Sequence, residues 1–216
     1  MHIIYTGSSI LGKICFNSFG KLEVNGKKSV IPFGPLIVAV NHVSMADPAI
    51  LNAIFPRRLW FLAKKELFKN KLANSFLSSF GAHPINRFSL DRKALDWAYN
   101  LLAKDEVITL FPEGSRSPNG RLKKAHNGIA YLASKTQAPI QPVTIIGTER
   151  INTLWKVPFP FCKIQVNIGD PFTLPIIEGT LTKSILDHLT EMIMLRLTQI
   201  LPTERHGYYD KNKFSN

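Results

Sequence analysis

The chain has 216 residues, of which 45% are hydrophobic and 19% are charged. That composition fits one domain with a sizeable core and excludes a largely disordered chain. The two cysteines, Cys15 and Cys162, stand far apart with no Cys-x-x-Cys partner, which argues against a zinc site or a disulfide framework and fits a reducing compartment. A net charge of +12 attracts polyanions, either nucleic acid or an anionic membrane face, and charge alone does not choose between them.

Residues 1–20 form an amphipathic N-terminal segment. Their apolar side chains recur at a spacing that predicts one stripe on a helix: Ile3, Ile4, Tyr5, Ile10, Leu11, Ile14, Cys15 and Phe19. Interruptions such as Gly7, Gly12 and Lys13 make the segment too short and too polar to span a bilayer, and it lacks the ordered regions of a cleavable signal. The stripe packs on the domain or lies in the membrane interface, and its spacing fits both.

Strand-like and helix-like segments then alternate along residues 21–202. Short apolar runs predict strands at 36–40, 59–63, 83–87, 107–111 and 140–146, with an alternating, edge-like strand at 161–168. Helical spacing predicts helices at 48–55, 70–81, 90–104 and 124–135, and a last helix that Thr182 caps. We therefore expect an α/β domain with a mixed, mostly parallel central sheet flanked by helices, and a loose polar tail at 203–216.

The stretch Asn41-His42-Val43-Ser44-Met45-Ala46-Asp47-Pro48 follows the first buried strand directly. Pro48 suits the first turn of a helix, and Asp47 before it suits the N-cap. Five helical steps rotate a side chain by about 140°, so Asp47 meets His42 only if His42 lies outside the helix and the turn folds it back. An Asp so placed fixes the imidazole tautomer and stabilises the imidazolium that forms when the ring takes a proton.

A second polar turn, Pro112-Glu113-Gly114-Ser115-Arg116, also follows a buried strand. The carboxyl ends of parallel strands meet at one edge of a sheet, so His42 and Glu113 share that edge if their strands are parallel. Backbone N–H groups around Gly114 are candidate donors to an oxyanion. An ionised Glu113 cannot stabilise an oxyanion, and we expect it to accept from a substrate hydroxyl or to orient Arg116.

A basic cluster lies between the second strand and the next helix. Its lysines alternate with bulky apolar residues, a mixture that suits a lipid interface better than a purely electrostatic nucleic-acid groove: Lys64, Lys65, Leu67, Phe68, Lys69, Lys71 and Leu72. The same pattern also fits a solvated face with ordinary core residues behind it.

Four ordered blocks, NHVSMAD, GAHPINR, FPEGSRS and PIQPV, resemble the glycerolipid acyltransferase family, specifically bacterial 1-acylglycerol-3-phosphate acyltransferases. The resemblance runs from about residue 34 to residue 150. It implies transfer of a fatty acyl group from acyl-CoA or acyl carrier protein to the sn-2 hydroxyl of lysophosphatidate, giving phosphatidate for phospholipid synthesis. It also implies that no metal or cofactor is needed beyond the acyl thioester.

The resemblance further implies roles for individual residues. His42 is the general base with Asp47 as its partner, Arg87 and Lys64 belong to the acceptor's phosphate site, and the turn Glu113, Gly114, Ser115 and Arg116 binds substrate. N-terminal helices of this family commonly engage the bilayer, so residues 1–20 favour peripheral or monotopic attachment at the cytoplasmic face of the membrane. Without the resemblance, Arg87 reads as a surface residue at a strand end and Lys64 as a solvated lysine.

The sequence departs from the family pattern at two places, which leaves the acceptor head group and the acyl length open. Asn86 stands where the family often has Asp, and Lys123-Lys124-Ala125-His126-Asn127-Gly128 replaces the more usual Leu-Pro-Phe-Lys-x-Gly. Another lysolipid, such as lyso-ornithine lipid or lysophosphatidylglycerol, is therefore an alternative acceptor. A serine hydrolase is disfavoured because no Gly-x-Ser-x-Gly is present. A non-catalytic nucleic-acid-binding protein is disfavoured because no recognition motif is found.

Overall fold

A seven-stranded sheet forms the centre of the computed structural model, which describes residues 2–86 and 91–210. The strands run in the order β1-β7-β6-β2-β5-β3-β4. Every neighbouring pair is parallel except β6 and β7, which are antiparallel. Their bounds are β1 Lys21–Asn25, β2 Leu36–Val40, β3 Leu59–Lys64, β4 Ala82–Ile85, β5 Val107–Leu110, β6 Ile140–Ile146 and β7 Lys163–Ile168. The expected mixed, mostly parallel sheet is confirmed.

In the part of the chain that the structure describes, six α-helices cover the sheet on both faces, as expected for an α/β domain. They are α1 His2–Ser18, α2 Asp47–Ile54, α3 Lys71–Phe80, α4 Arg92–Leu102, α5 Gly128–Thr136 and α6 Lys183–Thr198. The central strand β2 shows why both faces must be covered. Val38 and Val40 point into the core beneath α1, α2 and α3, whereas Ile37 and Ala39 point into the core beneath α4, α5 and α6.

The outer edge of the sheet differs from the sequence-based expectation. Residues 21–25, where the sequence predicted no strand, form β1 and pair in parallel with β7. The predicted edge strand 161–168 is consequently an inner strand. Strand β1 was not predicted because its sequence, KLEVN, lacks the apolar run of a central strand. Two of its five residues are exposed and none is fully buried.

The N-terminal helix α1 divides its apolar residues between the protein and the solvent. Phe16, only 1% exposed, and Cys15 enter the core, and Gly12 lets α1 approach Ala53 of α2 closely. The opposite side leaves large apolar side chains exposed: Ile3, Ile4, Ile10, Leu11 and Ile14. Among the described residues, no helix has the length and apolar character needed to cross a membrane.

Residues 203–210 pack on the domain, so the expectation of a loose tail at 203–216 is wrong for this part. Thr203–Arg205 and Gly207–Tyr209 form 3-10 turns, and Tyr209 is buried. The Tyr209 hydroxyl accepts a hydrogen bond from the Ala125 N–H at 3.0 Å. The segment therefore braces the loop that connects β5 to α5, while residues 211–216 lie outside the described residues.

Asn41 connects the end of β2 to β6 by two side-chain hydrogen bonds. Its side chain donates to the Ile145 carbonyl at 2.9 Å and accepts from the Ile145 N–H at 2.7 Å, and its own exposure is 2%. Both of these backbone groups are enclosed, because Ile145 is fully buried.

We predict that Asn41→Ala lowers the free energy of unfolding by about 2–4 kcal/mol, because it leaves two buried backbone groups without a hydrogen-bond partner. Urea unfolding of the variant measures the loss. Asn25→Ala is the matched control, since Asn25 pairs with Asn167 at an exposed position. Equal losses in the two variants would contradict the role given to Asn41.

Candidate active site

His42 and Asp47 form a hydrogen-bonded pair at the carboxyl edge of β2. His42 Nδ1 lies 2.8 Å from Asp47 Oδ2, so the turn does fold the histidine back as expected. The helix boundary differs, because Ala46 is the N-cap and Asp47 is the first residue of α2. Asp47 therefore aims its carboxylate back into the preceding loop instead of capping its own helix.

The Asp47 carboxylate is fully buried and accepts four further hydrogen bonds. Oδ2 accepts from the N–H groups of Val43 at 2.7 Å and Ser44 at 2.8 Å, and Oδ1 accepts from the hydroxyls of Ser44 at 2.9 Å and Thr148 at 3.2 Å. Sequence reasoning missed Thr148. Its only signal was a hydroxyl residue two positions after the buried strand 140–146, at the same edge of the sheet.

The His42 imidazole is held in one orientation. Its ring stacks on Phe111 with centroids 4.2 Å apart. Its backbone N–H donates to Glu113 Oε1 at 2.9 Å, and its carbonyl accepts from the Ser117 N–H at 2.7 Å. Since a carboxylate only accepts, Nδ1 carries the proton and Nε2 is the nitrogen that can take a proton from a substrate.

Glu113 lies beneath the active-site loops, with an exposure of 3%. One oxygen accepts from the His42 N–H and the other from the Lys123 N–H, each at 2.9 Å. Burial raises the pKa of Glu113 to about 7, although both backbone hydrogen bonds oppose the rise. The expectation that Glu113 orients Arg116 is not supported, because its carboxylate instead joins two backbone segments of the site.

Gly114 has a different use from the one expected. Its N–H donates to the Phe111 carbonyl at 2.9 Å, so this amide turns into its own loop and is not aimed at an oxyanion. With φ at 65°, a Cβ at this position would lie 2.8 Å from the His126 ring. Glycine therefore supplies the turn and lets the His126 imidazole lie close over the backbone.

Two cavities flank this turn. A cavity of about 1070 Å³ has a mixed lining in which apolar surface predominates. Its polar lining residues include His42, Asn86, Asp91, Arg92, Asp96, His126 and Asn127, and Gly114 also lines it. A smaller cavity of about 440 Å³ is lined by Val43, Ser44, Ser115, Arg116, Pro118, Glu149, Ile151 and Asn152. The structure thus separates Ser115 and Arg116 from the cavity that His42 faces.

The residues expected at the acceptor phosphate are only partly described. Lys64 is half-buried at the end of β3, with its ammonium 4.0 Å from Glu66. Arg87 lies outside the described residues, and Asn86 before it lines the larger cavity. Within residues 2–86 and 91–210, no group of three or more His, Cys, Asp or Glu side chains is arranged to hold a metal ion.

A buried strand ending in a His–Asp pair beside a largely apolar cavity has the composition of a general-base site with room for an apolar substrate. The family model described as Acyltransferase matches residues 21–146, more than half of the chain. The chain therefore belongs to the Acyltransferase family, and the resemblance drawn from its four sequence blocks is confirmed.

Relatives and a solved structure agree with this membership. The chain is 27% identical over 190 residues to the 1-acyl-sn-glycerol-3-phosphate acyltransferase of Bacillus subtilis (strain 168), covering 87% of this chain and 92% of that protein. It is 31% identical over 195 residues to the alpha form from Bos taurus, covering 87% and 66%. The crystal structure of PlsC, a 1-acyl-sn-glycerophosphate (LPA) acyltransferase from Thermotoga maritima, has the same fold. It matches with a TM-score of 0.66 and 22% identity, covering 91% of this chain and 80% of that one.

The raised pKa of Glu113 gives a prediction about stability and pH. A carboxyl whose pKa is near 7 when folded and about 4.5 when unfolded adds stability below pH 4.5, which is lost as pH rises through 7. The amide side chain of Glu113→Gln has no proton to lose, so the variant lacks this loss of stability. Its free energy of unfolding minus that of the wild type should therefore rise by about 3 kcal/mol between pH 4.5 and pH 7. Urea unfolding between pH 4 and pH 8 measures it. A difference that does not change with pH would contradict the assignment.

Proposed function

We propose that the chain transfers a fatty acyl group from an acyl thioester, acyl-CoA or acyl carrier protein, to the sn-2 hydroxyl of lysophosphatidate. The product is phosphatidate, an intermediate of phospholipid synthesis. The observation that carries the proposal is the 2.8 Å contact between His42 Nδ1 and the buried Asp47 carboxylate at the mouth of a large apolar cavity. The names of the relatives support the choice of acceptor.

The proposed reaction uses one histidine as base and then as acid. His42 Nε2 takes the proton from the acceptor hydroxyl as its oxygen attacks the thioester carbonyl carbon. The carbon–sulfur bond then breaks, and the imidazolium returns the proton to the departing thiolate. Asp47 stabilises the imidazolium through Nδ1, and its four other hydrogen bonds keep the carboxylate aimed at the ring.

The acyl chain is proposed to occupy the cavity of about 1070 Å³. Apolar residues from α4, α5 and the neighbouring strands line it, including Leu95, Leu110 and Leu132. Burying methylene groups there is favourable by about 0.8 kcal/mol each. The thioester carbonyl is then proposed to lie beside His42, which also lines this cavity.

The phosphate of the acceptor is proposed to bind Arg87 with help from Lys64. A phosphate monoester offers several oxygens, and a guanidinium binds two of them at once. We propose that Ser115 and Arg116 contribute further substrate contacts from the smaller cavity, and Gly114 from the larger one. Glu113 serves this site by holding the His42 and Lys123 backbones.

The enzyme is proposed to attach peripherally or monotopically to the cytoplasmic face of the membrane through α1 and the basic cluster at 64–72. The exposed stripe of α1, with Ile3 at 87% and Leu11 at 59% exposure, supports this attachment. Leu72 of α3, 83% exposed, adds apolar surface within the basic cluster. An apolar helix face flanked by lysines is the usual composition of an interfacial helix.

The mechanism predicts the effects of changing the pair. His42→Ala should lower kcat by about 10²–10⁴-fold, because a general base contributes about that much. Asp47→Asn should lower kcat strongly while the protein remains folded. An acyl-transfer assay on purified protein measures both effects, with acyl-CoA and acyl carrier protein donors crossed against several lysolipids. His188→Ala on the exposed side of α6 is the control, and a wild-type rate for His42→Ala would refute the mechanism.

The choice of acceptor is tested by Arg87→Lys, which keeps the charge and loses the planar fork. A charge-assisted hydrogen bond contributes about 1.5–3 kcal/mol, so kcat/KM for lysophosphatidate should fall roughly ten- to hundredfold. The KM of the donor should barely change. Arg196→Lys, on the exposed side of α6, is the control.

The phosphate role is contradicted if the wild type acylates a phosphate-free lysolipid as fast as lysophosphatidate and Arg87→Lys lowers both rates equally. Lyso-ornithine lipid or another lysolipid would then become the favoured acceptor.

A further inference from the structure

An exposed cluster of bulky apolar side chains lies on the loop between β6 and β7 and at the end of α1. Trp155 is 89% exposed and Phe161 is 76% exposed. We call this set the aromatic cluster; its members are Phe19, Leu154, Trp155, Phe159 and Phe161. None of these residues lines either cavity beside His42, so the reaction itself leaves the cluster unexplained.

The loop that carries the cluster has a defined conformation. The Phe161 N–H donates to the Phe19 carbonyl at 2.9 Å, and the Phe159 N–H donates to the Lys156 carbonyl at 3.2 Å. The Phe19 ring meets the Phe159 ring edge-on with centroids 4.8 Å apart. Pro160, which lies between Phe159 and Phe161 in the sequence, is buried. The backbone is therefore fixed while the aromatic side chains are presented outward.

Phe161 is held in an unusual backbone conformation. Its φ is 42°, in the left-handed region that bulky residues rarely adopt. Glycine would fit this position without strain. A phenylalanine that is both strained and 76% exposed contributes little to the folded monomer. Its side chain is explained more simply by a contact outside the chain.

The cluster lies at the same edge of the sheet as His42. Strand β6 runs parallel to β2, so it ends at that edge, and β7 starts there because it is antiparallel to β6. Strand β1 is parallel to β7, so the end of α1 reaches this edge too. A surface that contacts the aromatic cluster therefore also approaches the rim of the active site.

The chemistry of the surroundings favours a lipid surface. Trp and Phe beside Lys and Arg are the side chains that settle at the level of lipid head groups. Lys156 and Arg150 flank the cluster, and Lys156 is tied to the loop through Arg150's carbonyl and Asn152. Phe19 follows directly on α1 in the chain, and the exposed stripe of that helix adds further apolar surface, with Ile14 at 56% exposure.

We propose that the aromatic cluster is a membrane-contacting surface that inserts into an anionic phospholipid bilayer and presents the active-site rim to it. The stripe of α1 and the basic cluster at 64–72 are the contacts already proposed, and the aromatic cluster adds a third. The basic cluster follows β3 and the aromatic cluster precedes β7, on opposite sides of β2 in the sheet, so the two together fix the tilt of the domain on the membrane. The inference rests on the proposed function only in that the acceptor is a membrane lipid.

The test compares two variants of the full chain on anionic phospholipid vesicles. Trp155→Ala with Phe161→Gly removes two aromatic side chains, and glycine suits the positive φ at residue 161, so the fold is kept. Vesicle co-sedimentation should show binding weakened by at least about tenfold. Phe33→Ala is the matched control, because Phe33 is 83% exposed but precedes β2 at the opposite edge of the sheet. Unchanged binding by the double variant would overturn the proposal.

Tryptophan fluorescence tests the insertion directly. Trp155→Phe, at an 89% exposed position, leaves Trp60 and Trp97 as the remaining tryptophans. On vesicles the wild-type emission should shift to the blue and be quenched by acyl chains carrying bromine, and both effects should vanish in Trp155→Phe. Equal shifts and quenching in the two proteins would show that Trp155 stays out of the bilayer.

Activity measurements separate this inference from the proposed function. The double variant should keep wild-type kcat on a monodisperse short-chain acceptor and lose activity on the same acceptor embedded in vesicles. Inactivity of the wild type on every lysolipid would refute the proposed function and leave the vesicle-binding result intact. Unchanged vesicle binding combined with a lower kcat/KM for acyl carrier protein would instead identify the cluster as a protein-binding surface, which overturns the lipid proposal.

Discussion

The buried carboxylate of Asp47 is the group on which the site depends. An ionised carboxylate removed from water costs several kcal/mol unless hydrogen bonds replace its hydration. Five donors meet it: the His42 ring, two backbone amides and the hydroxyls of Ser44 and Thr148. Because the loop must supply those donors, residues 41–47 have little conformational choice. The orientation of His42 follows from satisfying Asp47.

The same loop is tied to the rest of the sheet through backbone contacts. Glu113 and Ser117 hold the His42 backbone from the turn after β5, and Asn41 holds the end of β2 to β6. The C-terminal segment adds support through Tyr209, which binds the loop after that turn. Residues needed for chemistry and residues needed for stability are therefore closely connected, and damage to either set is expected to affect the other.

The sequence predicted the parts of the structure that have local signals. The apolar run of β2 was enough to predict the strand and the turn after it. The contact between His42 and Asp47 rested on the family resemblance, because their spacing allows it only if the turn folds His42 back. Thr148 was missed because it lies 101 residues from Asp47 and only the sheet brings them together. Glu113 was recognised as important, but the two backbone amides that donate to its oxygens were not predicted, because a sequence does not show which distant groups meet a side chain.

The remaining differences also have physical causes. β1 was missed because a half-exposed strand pairing with a distant partner has no continuous apolar pattern. The 203–210 segment reads as polar, yet Tyr209 buries its ring and uses its hydroxyl to satisfy a backbone N–H. Such contacts depend on residues that are far apart in the chain. They become visible only when the fold has brought both partners together.

The role given to His42 depends on its tautomer, in which Asp47 holds the proton on Nδ1 and leaves the reactive lone pair on Nε2. This tautomer can be measured by ¹⁵N NMR of the neutral His42 imidazole, at a pH well above the ordinary histidine pKa of about 6.5. We expect a protonated Nδ1 and an unprotonated Nε2 in the wild type. A protonated Nε2 with a bare Nδ1 facing Asp47 would contradict it.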